Sequence, residues 1–135
     1  MAAPHVVLYD SDCGFCVWAM AKVLAFDRDG RLRPLALQSP AADALLGGME
    51  EGRKMASWHL AGPGGELHSG GAAFAPLMRL LPRGGRALAA VFARFPRASD
   101  RLYLAVADRR GALGRLLGEG ARARARRTVE GREAG

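Results

Sequence analysis

The sequence predicts an α/β domain built on a four-stranded mixed sheet with helices on both faces. Two early apolar runs are each followed by a helical segment, and a glycine-rich turn separates two later runs. The 135 residues suffice for one compact domain. Half of them are apolar, so a core can form without disulfide or metal crosslinks. We expect this single domain to span residues 1–118.

The first half of the chain predicts two strand–helix units. Val6–Tyr9 is apolar throughout, as expected for a buried strand. From Cys13 to about Phe26, apolar residues recur near the 3.6-residue helical period. A second strand is predicted around Leu32–Leu37, and Ser39-Pro40 is typical of a helix start, because serine caps the helix and proline fits its first position.

A β-hairpin is predicted next, from Met55–Leu60 and Glu66–Ser69 around a glycine-rich turn. Because helices separate the first three strands, right-handed crossovers would make those strands parallel, and the hairpin would add one antiparallel strand. A four-stranded mixed sheet flanked by helices is the thioredoxin-like core.

The C-terminal part predicts a helical extension followed by a tail. One helix is expected from about Ala72 to Leu81, although Pro76 fits only a first turn and favours a start later than Ala72. Two amphipathic helices are expected over residues 86–94 and 98–109. Residues 119–135 contain several arginines without an apolar period, which predicts a disordered basic tail.

The two cysteines, Cys13 and Cys16, lie three residues apart at the start of the first predicted helix. Disulfide exchange needs one thiolate that attacks and a second thiol that releases the mixed disulfide. Free backbone N–H groups at a helix N-terminus stabilise a thiolate, so Cys13 is the predicted nucleophile and Cys16 the resolving thiol. A structural bond closing so short a loop would contribute little stability. The pair therefore predicts redox catalysis.

Two carboxylates flank the pair. Asp10 has three possible roles: its charge can disfavour the neighbouring thiolate, it can accept the proton of Cys16 during resolution, or it can serve the turn alone. Asp12 is expected to cap the helix. The predicted catalytic residues are thus Cys13, Cys16 and Asp10.

The run Tyr9–Cys16 resembles the signature of the DCC family, which is named for its Asp-x-x-Cys-x-x-Cys motif. The resemblance covers about Val6 to Leu117 and includes the segment Leu37-Gln38-Ser39. It implies a thioredoxin-like thiol–disulfide oxidoreductase acting on a protein or a small thiol.

Two features depart from the patterns of related proteins. Ser11 stands where the family usually has glycine. Thioredoxins place a cis-proline before the third strand to receive a substrate backbone, whereas Lys54-Met55 occupy that position here.

The net charge of +7 raises an alternative, a binding module for nucleic acid or an anionic membrane with the cysteines structural or metal-binding. Its basic face would comprise Arg79, Arg83, Arg86, Arg94, Arg97 and Arg101. Nearly all the cations are arginine, which is typical of a GC-rich genome, and no aromatic-rich nucleic-acid motif accompanies them. A zinc site would need two more ligands, and His5, His59 and His68 do not have the usual spacing. No metal and no cofactor are therefore expected.

The location predicted is the cytoplasm. No apolar run approaches the roughly 18 residues that span a bilayer. No basic segment precedes the short apolar run Val6–Leu8, so no signal peptide is predicted.

Overall fold

The computed structural model describes residues 4–82 and 84–134. Its strands are β1 (His5–Tyr9), β2 (Leu32–Ala36), β3 (His59–Ala61) and β4 (Leu67–Ser69). The helices are α1 (Gly14–Phe26), α2 (Pro40–Leu46), α3 (Glu51–Ala56), α4 (Phe74–Leu80), α5 (Gly85–Arg94), α6 (Pro96–Leu116) and α7 (Glu119–Ala134), with a 3₁₀ turn at Gly70–Ala73.

The strands form one sheet in the order β2-β1-β3-β4. Strand β1 pairs in parallel with β2 and antiparallel with β3, and β4 is antiparallel to β3. This mixed sheet with its helices confirms the thioredoxin-like fold. The predicted parallel pairing of the third strand is wrong: β3 runs antiparallel to β1, and the connection from β2 to β3 contains two helices, α2 and α3, rather than one crossover helix.

The predicted strand over Met55–Leu60 is also wrong at its start, because Met55 and Ala56 belong to α3 and β3 begins only at His59. Gly47 adopts a left-handed conformation (φ 61°) that ends α2 and lets a new helix follow. Lys54, in the last turn of α3, is buried, and its Nζ lies 2.9 Å from Asp43 Oδ1. This ion pair stabilises the short helix α3. The strand that follows it, β3, has only three residues.

The two faces of the sheet follow the strand alternation of β1. Val7 and Tyr9 face one apolar cluster, to which α1, α4 and α7 contribute. Leu8 faces the other, with residues that follow β2 or lie in α2: Leu37, Ala42 and Leu46. Because β1 is covered on both faces, the loop that follows it is held by a rigid strand.

The C-terminal half is more helical than predicted. Helix α4 begins at Phe74, so Pro76 lies in its first turn, as expected. Helix α5 agrees with its prediction, and α6 runs seven residues beyond the predicted end at Arg109, to Leu116. Among the described residues, none of the helices combines the length and apolar composition that a bilayer span requires.

Residues Glu119–Ala134 form helix α7, so the prediction of a disordered tail is wrong for them. Ala125 and Val129, one turn apart, are buried in the cluster that also contains α1. Arg132 Nη2 donates to Asp27 Oδ2 at 2.6 Å, and the carboxylate of Glu133 accepts from the backbone N of Ala36 at 2.7 Å. The apolar contact consists of alanines and one valine, which give little hydrophobic periodicity in the sequence.

Candidate active site

Cys13 is the N-cap residue of α1, with extended backbone angles (φ −98°, ψ 110°). Its Sγ accepts a hydrogen bond from the backbone N of Cys16 at 3.3 Å. The expectation that Asp12 caps this helix is therefore wrong, because a sulfur rather than a carboxylate meets the free N–H group. The predicted nucleophile lies at the positive end of the α1 dipole, where negative charge is stabilised.

Cys16 lies one turn into α1 and is only partly exposed. Burial raises the pKa of its thiol to about 12, and the neighbouring Cys13 side chain acts in the same direction. The positive charge of Arg110 opposes this shift. Both cysteines are free thiols in the structure. They differ in position, since Cys13 caps helix α1 and Cys16 lies one turn inside it.

The Gln38 side chain holds the loop between β1 and α1, and Arg126 of α7 adds hydrogen bonds from Nη1 and Nη2 to the backbone O of Ser11 at 3.3 Å. Gln38 Nε2 donates to Asp10 Oδ1 at 2.7 Å and to Asp12 Oδ2 at 3.3 Å. Its Oε1 accepts from the hydroxyl and the backbone N of Ser11 at 2.8 and 3.2 Å. Asp10 Oδ1 also accepts from the backbone N of Asp12 at 3.0 Å. The amide thus fixes the three residues that precede the nucleophile.

Cys13 borders a cleft of about 310 Å³, which we call the Cys13 cleft. Its other charged residues come from the loop after β1 and from the last two helices: Asp10, Asp12, Arg110, Arg115 and Arg122. The structure therefore brings Cys13 and Asp10 together at one surface. It also adds three arginines that the sequence prediction of the site did not include.

Arg110, on α6, interacts electrostatically with the thiol groups of both cysteines. Burial alone would lower its pKa, but the charges of Cys16, Cys13 and Asp10 outweigh burial and raise that pKa. The adjacent Arg109 makes a different contact, since its Nη1 donates to the backbone O of Ala105 at 3.4 Å. No sequence signal separated the two arginines, since their roles depend on which side of α6 faces α1.

Glycines allow these helices to approach the cysteines. A Cβ at Gly114 of α6 would lie 3.4 Å from the backbone N of Phe15, so the two helices meet closely there. A Cβ at Gly14 would lie 3.2 Å from Cδ of Arg122, which places this α7 side chain over the first residue of α1. The site is therefore assembled from both ends of the chain.

The residues considered for metal or polyanion binding lie in other surroundings. His59 is buried, and its ring nitrogens contact Ser69 Oγ at 2.6 Å and the backbone O of Lys54 at 2.9 Å. No cluster of three His, Cys, Asp or Glu side chains that could hold a metal occurs in the described part of the chain. Of the basic face, Arg79 and Arg86 border a second cleft. Arg83 lies outside the described residues.

A Cys-x-x-Cys pair at the start of the first helix of a thioredoxin-like fold defines the class of thiol–disulfide oxidoreductases. The family model described as DCC1-like thiol-disulfide oxidoreductase matches residues 7–116, and the chain belongs to this family. Comparisons with curated proteins and with solved structures gave no significant match. Helix α7, with Arg122, follows the matched residues.

Proposed function

We propose that this protein is a cytoplasmic enzyme that exchanges the Cys13–Cys16 dithiol or disulfide with a protein or small-thiol substrate. One observation carries the proposal: the sulfur of Cys13 caps α1 at the mouth of a cleft, while Cys16 lies partly buried one turn behind it. A cytoplasmic location agrees with a chain that has only this pair of cysteines, because thiols stay reduced in that compartment.

The first step is attack of the Cys13 thiolate on one sulfur of a substrate disulfide. The substrate S–S bond breaks, one substrate thiolate leaves, and a mixed disulfide to Cys13 Sγ forms. The hydrogen bond from the Cys16 amide supports the anionic sulfur before attack. Arg110 adds a cation near both sulfurs and near the leaving thiolate.

In the second step Cys16 loses its proton and attacks Cys13 Sγ. The enzyme disulfide forms, the second substrate thiolate leaves, and two electrons have passed from the enzyme to the substrate. Burial raises the pKa of the Cys16 thiol, so most of it is protonated at pH 7. A proton acceptor would therefore assist resolution at neutral pH.

We assign that role to Asp10. Its Oδ1 is held by Gln38 and the Asp12 amide, whereas its Oδ2 accepts no hydrogen bond from the described residues. The charge of Asp10 acts on the Cys16 thiol, which supports our proposal that the carboxylate receives the proton, directly or through one water.

Trapping with single-cysteine variants tests the proposal. Reduced Cys16→Ser and Cys13→Ser proteins are mixed with bis(2-hydroxyethyl) disulfide, and the adducts are measured by intact mass. We expect Cys16→Ser to accumulate one adduct on Cys13 and Cys13→Ser to form none on the same timescale. Equal adduct formation by the two variants, or by neither, would refute the assignment of roles. The double serine variant measures background.

A further inference from the structure

The arginines of the Cys13 cleft differ in what they contact. The charge of Arg110 is engaged by the two cysteines and Asp10. Arg115 and Arg122 border the same cleft, and none of the ion pairs within residues 4–82 and 84–134 includes either of them. Both residues therefore line the cleft without a carboxylate partner among the described residues.

The two carboxylates of the cleft, those of Asp10 and Asp12, are hydrogen-bonded to Gln38 rather than paired with Arg115 or Arg122. Asp10 Oδ1 and Asp12 Oδ2 both accept hydrogen bonds from Gln38 Nε2, on the β2 side of the site. Arg115 and Arg122 project from α6 and α7, on the other side. The cleft is thus divided, with its acidic groups around Gln38 and its available cations along the two C-terminal helices.

The shape of the cleft favours a small ligand. Gly14, Gly111 and Gly114 contribute no side chain to its lining, and its volume of about 310 Å³ lies at the lower end of the roughly 300–1,000 Å³ typical of small-molecule sites. A guanidinium group can donate two parallel hydrogen bonds to the two oxygens of one carboxylate. Arginine is therefore well suited to bind a carboxylate group.

We propose that the Cys13 cleft binds a low-molecular-weight disulfide or thiol that carries a carboxylate close to its sulfur, with Arg115 and Arg122 as the carboxylate-binding residues. This inference rests on the proposed function and names its substrate class. The carboxylate would lie against α6 and α7, which aligns the adjacent sulfur with Cys13. The reaction is the one above: the enzyme dithiol becomes a disulfide, and the substrate disulfide becomes two thiols.

Three arginines and two aspartates line the cleft, so its preference for a negatively charged disulfide over a neutral one should be moderate. We expect a dianionic disulfide to react about tenfold faster than a neutral one after correction for intrinsic reactivity, which equals about 1.4 kcal/mol. A cationic disulfide should react more slowly than the neutral one.

The experiment measures the second-order rate of oxidation of the reduced protein by three dialkyl disulfides at low salt. They are 3,3′-dithiodipropionate, bis(2-hydroxyethyl) disulfide and cystamine, with charges of −2, 0 and +2. Each rate is divided by the rate of the same disulfide with free dithiothreitol. Mass spectrometry identifies the Cys13–Cys16 disulfide as the product.

The variant Arg115→Gln/Arg122→Gln should lose most of the preference for the dianion, measured as the ratio of the corrected rates for the dianionic and the neutral disulfide. The control is Arg97→Gln/Arg101→Gln, which removes the same charge from exposed positions about 27 and 21 Å from Arg115 along α6 at 1.5 Å per residue. The control should keep the preference.

Three results would separate the possible failures. Equal corrected rates for the three disulfides in the wild type would overturn the inference and leave the proposed function intact. An equal loss of preference in both double variants would also overturn it, because net charge rather than the cleft would then attract the anion. Failure of all three disulfides to produce the Cys13–Cys16 bond would overturn the proposed function itself.

Discussion

The β1–α1 connection and the α6–α7 region both contribute to the site, but the residues that they bring into contact differ in their separation along the chain. In the connection, two of the bonds are local: Cys16 N to Cys13 Sγ and Asp12 N to Asp10 Oδ1 join residues three and two positions apart, and Gln38 adds a bond to Asp10 from 28 positions away. In the C-terminal helices the bonds are distant, as between Tyr9 and Glu133, which are 124 positions apart. The β1–α1 connection supplies the reacting sulfurs. Helices α6 and α7 supply the arginines near those sulfurs and pack over α1.

This difference separates two properties of the enzyme. The type of reaction depends on a short segment whose geometry follows from a strand, a loop and a helix start. The rate and the preferred substrate depend on arginines whose positions require helices α6 and α7 to dock on α1. Variants in the two regions should therefore have distinguishable effects.

The largest effect in the C-terminal region is expected from Val129→Asp. Val129 is fully buried, and an unpaired carboxylate at its position should cost about 3 kcal/mol or more in the free energy of unfolding. Chemical denaturation measures the change. Thr128→Asp, at the exposed neighbour, is the matched control and should change the stability by less than about 0.5 kcal/mol. Equal stabilities of the two variants would contradict the docking of α7.

A smaller effect is expected from Arg110→Gln. Loss of this cation should slow the reaction with neutral bis(2-hydroxyethyl) disulfide about tenfold, since a charge interaction of about 1.4 kcal/mol corresponds to that factor. It should also raise the pKa of Cys16 further, because Arg110 opposes the effect of burial. Thiolate absorbance against pH provides that second readout. Arg109→Gln, at the exposed neighbour, should change neither quantity.

The smallest effect is expected from Asp10→Asn, and it should depend on pH. If Asp10 accepts the proton of Cys16, resolution of the mixed disulfide at pH 7 should slow about three- to fivefold. The first attack should keep its rate. As the pH rises towards the Cys16 pKa of about 12, more of the thiol ionises unaided and the two proteins should converge. Single-turnover kinetics across pH 6–10 measures both steps.

Asp12→Asn is the control for this prediction, because Asp12 also contacts Gln38 and borders the cleft. A deficit that is constant across the pH range, or equal in the two variants, would exclude proton acceptance by Asp10. It would assign the carboxylate to the loop structure instead.

The sequence predicted the local part of the site and missed the distant part for physical reasons. The strand at Val6–Tyr9 and the helix over Cys13–Phe26 have strong apolar patterns, and both agree with the structure to within a residue or so. Helix α3 was not predicted, and its last two residues were assigned to a strand, because its contacts are Lys54 ion pairs rather than an apolar stripe. Helix α7 buries Ala125 and Val129 at a spacing of four, a pattern visible only if alanine is counted as apolar.

The arginines of the cleft show why the site could not be completed from sequence. The chain has many arginines, and Arg110, Arg115 and Arg122 have no spacing that sets them apart. Close approach at Gly114 and Gly14 brings these side chains near Cys13. Such contacts depend on how the helices pack, which a single sequence does not specify.

The central claim is that Cys13 and Cys16 form a reversible redox pair, and intact-mass measurement tests it most directly. Mild oxidation of the reduced protein should remove two hydrogens, protect both thiols from iodoacetamide and link Cys13 to Cys16 in one peptide. Dithiothreitol should restore the original mass and both reactive thiols. Full alkylation of both cysteines after oxidant treatment, or zinc bound at one equivalent through them, would contradict the account.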